Sequence, residues 1–140
     1  MPVRMELSRI LIRELADVQL IELREANPAA GAVPRTFPIV IGLNEAQAIE
    51  RRLKGVVIKR PQTHDLLANV IRDLGGTIVS ISVTHLEEHT FFATILIKMR
   101  DGSEVSIDSR PSDAIALGIA EKAPLYVAED VIQAAARDDS

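Results

Sequence analysis

The chain is 140 residues long, enough for one domain that buries roughly two thirds of the surface its unfolded form exposes. Of its residues 47% are hydrophobic, mostly aliphatic, and only Phe37, Phe91, Phe92 and Tyr126 are aromatic, which argues against an open platform on which the bases of a single strand stack. Cysteine is absent, which excludes disulfides, zinc–thiolate sites and thiol nucleophiles, and a formal net charge of -4 is unlike the basic surface of an efficient polyanion binder.

Val3, Met5 and Leu7 alternate with polar residues and lead into Ile10, Leu11 and Ile12, which predicts one long strand or two short ones. Val18 to Leu23 predicts another. The segment Ala26-Asn27-Pro28-Ala29-Ala30-Gly31-Ala32 has the composition of a hairpin loop, and Phe37, Ile39 and Ile41 alternate as a third strand that Gly42 interrupts. Asn44 then reads as a helix N-cap, with Glu45 complementing the dipole and Ala46, Ile49 and Leu53 in one apolar stripe before Gly55.

Here the charge asymmetry is concentrated. Residues 1–60 hold ten Lys or Arg against seven Asp or Glu, and residues 61–140 hold six against thirteen, so the parts carry +3 and -7. Arg51, Arg52, Lys54, Lys59 and Arg60 would attract a polyanion that the second part repels; the same charges also suit a mixed solvated surface.

In the next helix Thr63 reads as the cap, Leu67, Val70, Ile71 and Leu74 share a face, and Gly75-Gly76 stops the turn. Ile78 to Val83 and Phe91 to Met99 predict strands. His85, Glu87, Glu88 and His89 fall in the turn between them, where a solvated turn is expected rather than a metal cluster. Arg100-Asp101-Gly102-Ser103 signals a hairpin into Val105, Ser106 and Ile107. Ser112 reads as the cap of a third helix through Lys122, so apolar that burial on more than one side is expected, with Gly118 permitting close approach. Leu125 to Val127 predicts a short strand and Val131 to Ala136 a short helix.

The fold expected is α+β: a mixed, mostly antiparallel sheet of six or seven strands with three main helices. Ile41-Gly42-Leu43-Asn44-Glu45-Ala46 echoes the run from Ile107 to Ala114 with two residues inserted, which reads as an internal duplication of a β-β-β-α unit. The expected organisation is one domain over residues 1–136 with a disordered tail, 137–140. No long apolar region precedes a cleavage site at the N-terminus, and no apolar run approaches the roughly 18 residues needed to span a bilayer, so a soluble cytoplasmic protein is expected.

The run Asp108-Ser109-Arg110-Pro111-Ser112-Asp113-Ala114-Ile115 packs carboxylates, a guanidinium and hydroxyls into a strand-to-helix junction. Pro111 pushes Arg110 toward an extended conformation, and the helix N-terminus beside it has free backbone N–H groups that suit a phosphate. One reading has Arg110 and the helix end, with Ser112, holding a phosphate while Asp108 and Asp113 coordinate a hard divalent ion such as Mg²⁺ or Mn²⁺ that activates water. The other is plain capping, with Ser112 and Asp113 serving the helix and Arg110 neutralising Asp108. His64, expected in the first turn of its helix, could act as general base or acid, or could be an exposed residue of no special role.

Three segments, Pro38-Ile39-Val40-Ile41-Gly42, Arg60-Pro61-Gln62-Thr63-His64-Asp65-Leu66-Leu67 and the Asp108 run, resemble the bifunctional nuclease family of bacteria and plants, over about Met5 to Val131. The resemblance implies cleavage of phosphodiester bonds in DNA and RNA. Asp108, Asp113 and His64 would be catalytic, Asp108 and Asp113 would hold metal, and Arg110, Ser112 and Arg60 would bind substrate phosphate. The alternative is a non-enzymatic, homo-oligomeric module that binds a small anion or a protein and packs apolar faces between subunits.

Overall fold

The structure, a computed structural model, describes residues 2–13 and 18–138. Alternating apolar residues build two antiparallel meanders. β1 (Pro2–Leu11), β2 (Gln19–Glu25) and β3 (Thr36–Ile41) precede α1 (Leu43–Lys54); β4 (Thr77–Glu87), β5 (Thr90–Lys98) and β6 (Glu104–Ser109) precede α3 (Pro111–Ala120). Between them in the chain comes α2 (Thr63–Asp73), and β7 (Leu125–Ala128) and α4 (Glu129–Asp138) follow.

All the strands join one open sheet in the order β3-β2-β1-β7-β4-β5-β6. The two meanders therefore flank β7 in opposite senses, as two copies of a β-β-β-α unit would. β7 pairs antiparallel with β1 and parallel with β4, which makes the sheet mixed. The expected α+β class and strand number stand.

The strand period of two places Ile21 and Leu23 of β2 and Phe37, Ile39 and Ile41 of β3 on the inner face, where they pack against α1, α3 and α4 through Ile49, Ile115 and Ile132. A second cluster joins Ala93, Ile95 and Ile97 of β5 to Ala68 of α2 and to Ala114 and Leu117 of α3. Helix α3 thus serves both clusters, which explains its apolar sequence. Its Gly118 lies so close to β4 that a Cβ there would stand 2.7 Å from Ile81 Cγ1. The sheet coils until Phe37 on edge strand β3 stacks on Phe91 at the tip of the β4–β5 hairpin, with ring centroids 5.7 Å apart.

Each of the first three helices starts earlier than the capping residues suggest. The N-caps are Gly42, Gln62 and Arg110, not Asn44, Thr63 and Ser112. In α3 the reason is Pro111, whose fixed φ and missing N–H suit the first helical position. Glu45, Asp65 and Asp113 consequently all occupy the third helical position, where a carboxylate faces unpaired N–H groups. Helix α4 continues to Asp138, past the expected boundary at Ala136; residues 139–140 lie outside the described residues.

Candidate functional site

The third-position acids of α1 and α3 meet at one guanidinium. Arg110 is extended, φ -72° and ψ 145°, as the following proline requires. From there Nη1 donates to Glu45 Oε1 at 3.1 Å and Nε to Asp113 Oδ2 at 3.0 Å. The hydrogen bonds to Glu45 and then to Asp113 raise the Arg110 pKa above its ordinary value, so its charge is permanent. The side chain is 63% exposed, which leaves its remaining N–H groups open to solvent or ligand.

The other oxygen of Asp113 meets α2. His64 Nε2 lies 2.9 Å from Asp113 Oδ1, with the histidine side chain 15% exposed. His64 is therefore half-buried at the second helical position, not an exposed first residue. Its Nδ1 has no partner among the described residues, so an Nε2–H donated to Asp113 leaves a lone pair on Nδ1.

Helix α1 fixes where His64 stands. Arg51 Nε donates to Gln62 Oε1 at 2.9 Å, and the buried Arg52 places Nη2 3.1 Å from Asp65 Oδ1 while Nη1 donates to the Ala48 carbonyl. Asp65 in turn accepts the Gln62 N–H at 3.0 Å, the return arm of a capping box. The arginines read from the sequence as a polyanion patch thus partly serve to dock α2.

The structure brings together His64, Asp113 and Arg110. Ser112 is adjacent and buried at the second position of α3, where it caps nothing. Asp108 sits apart on edge strand β6, opposite Thr94 and exposed, without a hydrogen bond or ion pair among the described residues. Arg110 therefore does not neutralise Asp108, as plain capping would have it. Arg60 is exposed ahead of α2 and likewise without a partner among the described residues. Glu45 was not anticipated as a site residue; its signal was the internal echo, in which it stands where Asp113 does.

These donors do not fit a resident divalent ion. Both oxygens of Asp113 are engaged, one by a guanidinium whose charge would repel a cation, and Asp108 offers a single exposed carboxylate. Among the described residues no three His, Asp or Glu gather to hold a metal. The turn forms at Glu88 and His89 alone, both at positive φ, whereas His85 and Glu87, expected within it, belong to β4; His85 and His89 are exposed.

Residues 29–140 match the family model described as the bifunctional nuclease domain. The chain belongs to the bifunctional nuclease domain family. The match starts after β2, later than the resemblance from Met5 suggests, although β1 and β2 belong to the same sheet. Two Mycobacterium tuberculosis proteins, uncharacterized protein Rv1829 of strain H37Rv and uncharacterized protein MT1877 of strain CDC 1551, are each 36% identical over 110 residues. The alignments cover 79% of this chain and 62% of each relative, so the chain spans less than two thirds of their length. Among the described residues no helix is long and apolar enough to cross a membrane.

Proposed function

We propose that this member of the bifunctional nuclease domain family hydrolyses phosphodiester bonds of DNA and RNA in the cytoplasm, with His64, Asp113 and Arg110 as its catalytic group. Family membership supports the reaction class; the 2.9 Å contact between His64 Nε2 and Asp113 Oδ1, with Arg110 on the second oxygen, is the observation that carries it.

In the proposed reaction a phosphate lies against the open N–H groups of Arg110 and the N-terminus of α3. Asp113 orients the imidazole, and Nδ1 of His64 takes a proton from water as the water oxygen bonds to phosphorus. The bond from phosphorus to the leaving oxygen breaks, and the imidazolium returns the proton to that oxygen. Glu45 holds Arg110 in place from α1. Asp108, exposed on β6, and Arg60, exposed ahead of α2, lie outside this group.

The test is release of acid-soluble nucleotide from single-stranded DNA and RNA with Mg²⁺, Mn²⁺ or chelator, beside His64→Gln and Asp108→Ala prepared identically. Cleavage lost in His64→Gln and retained in Asp108→Ala supports the reading. Equal cleavage in all three preparations, or none in any, would sink it.

The alternative, a non-enzymatic homo-oligomeric module, draws on a different observation: Leu66 and Val70 on α2, Leu74 at its C-terminal cap, and Val105 and Ile107 on β6 are exposed apolar residues. Oligomerisation is compatible with either reading, and a second copy would cover this surface.

A further inference from the structure

Beside Arg110 lies a cavity of about 640 Å³, bounded by β3, the tip of the β4–β5 hairpin and the N-termini of α1 and α3. Its size falls within the roughly 300–1,000 Å³ of small-ligand pockets. Pro38, Ile39, Ile41, Leu86 and Phe91 give it apolar walls, and Phe91 is braced flat by Phe37. Two of the few aromatic rings in the chain are thus spent on this one place.

Polar groups gather at the end nearest the catalytic group. Ser112 lines the cavity, and its hydroxyl, which has no hydrogen-bond partner among the described residues, is open to a ligand there. Neither α1 nor α3 has a side-chain cap, so first-turn N–H groups are also open there. Glu45 adds an acceptor.

Charge decides what kind of ligand suits this end. The single positive charge of Arg110 is already answered by Glu45 and Asp113, so the cavity offers donors and an acceptor side by side without a net positive field. A second anionic group would gain little. A flat neutral heterocycle, with apolar faces and an edge of mixed donors and acceptors, matches both the walls and the polar end.

We propose that the cavity receives the base of a nucleotide whose phosphate lies at Arg110, so that the protein acts on unpaired nucleic acid. The position of that phosphate rests on the function proposed above. A base in a duplex has its edge paired and its faces stacked, and it enters only if extruded.

Adenosine 5′-monophosphate and ribose 5-phosphate share sugar and phosphate and differ by the base. Titrated into the ¹⁵N-labelled chain, the nucleotide binds at least ten-fold more tightly and shifts the amide signals of Ile39, Ile41, Phe91 and Ser112, whereas ribose 5-phosphate leaves those of Ile39 and Phe91 in place. Ser112→Ala, a small change within a helix, brings the nucleotide affinity toward that of ribose 5-phosphate. Equal affinities, shifts that avoid the cavity, or no binding of either compound overturns the proposal. Binding is read separately from cleavage. Base-dependent binding without cleavage removes the hydrolase reading alone, and cleavage with equal affinities removes the base site alone.

Discussion

Asp113 accepts through one oxygen from His64 and through the other from Arg110, so in the proposed reaction its charge would orient the base and the phosphate ligand together. Asp113→Asn removes that charge at constant size, and a lost general-base arrangement costs about 10²–10⁴-fold in rate. Initial cleavage rates of Asp113→Asn and His64→Gln should each fall within that range, and the double variant should be no worse than the poorer single one, because the two act as a unit. Arg110→Lys separates structure from chemistry. An ammonium cannot reproduce the fork that spans Glu45 and Asp113, but an exposed ion pair is worth under about 1 kcal/mol. Thermal unfolding should change little while cleavage drops roughly ten-fold or more, as expected for loss of a charge-assisted hydrogen bond. The composition of this site was legible in the order of residues around Arg110 and His64. Its partners were not: His64 and Asp113 are 49 positions apart, and Arg110 and Glu45 are 65 apart.

Helix starts were misplaced by one or two residues because a hydroxyl or amide side chain is a weaker signal than Pro111 at the first position or an acid at the third. The correction changes the chemistry, since it makes Glu45, Asp65 and Asp113 equivalent. The fit of α3 onto β4 gives a direct test. Gly118→Ala gains about 1 kcal/mol of helix propensity but forces a Cβ against Ile81, and overpacking costs about 1–3 kcal/mol. A net loss of stability in urea unfolding is expected. At the opposite end of the helical layer, Arg35 joins Glu25 at the end of β2 to Glu129 at the start of α4, with Nε–Oε1 and Nη2–Oε1 distances of 2.9 and 3.0 Å. Hydrogen bonds from Arg35 hold both carboxyls below the ordinary glutamate range. A lowered folded-state value means that the stabilisation is complete above that range and is lost as pH falls through the folded-state value. Arg35→Gln should therefore destabilise most at neutral pH and not at all once both acids are protonated, as read from unfolding curves across the acid limb.

At the level of the whole molecule, two meanders share one sheet only because β7 fills the gap between β1 and β4. A short strand late in the chain therefore holds the two halves together, and through them the N-termini of α1 and α3. The exposed apolar residues of α2 and β6 lie on the side of the second meander, and β6 is an unpaired edge. Light scattering on the eluted protein should give more than one chain per particle. A charged pair, Val105→Lys with Ile107→Lys, should shift it to monomer without altering the circular dichroism of the fold.

From the sequence alone came the local elements: the alternation of β1 to β3, the hairpin at Asp101-Gly102, the apolar α3 and the repeat of a three-strand and helix unit. These depend on periodicity and turn chemistry, which act over a few residues and are written in consecutive positions. The tertiary structure alone decided the place of β7, the coiling that brings Phe37 onto Phe91, and the meeting of three helix N-termini around Arg110. Those follow from burying two apolar faces around one shared helix, a balance of packing across the whole chain that no single segment encodes.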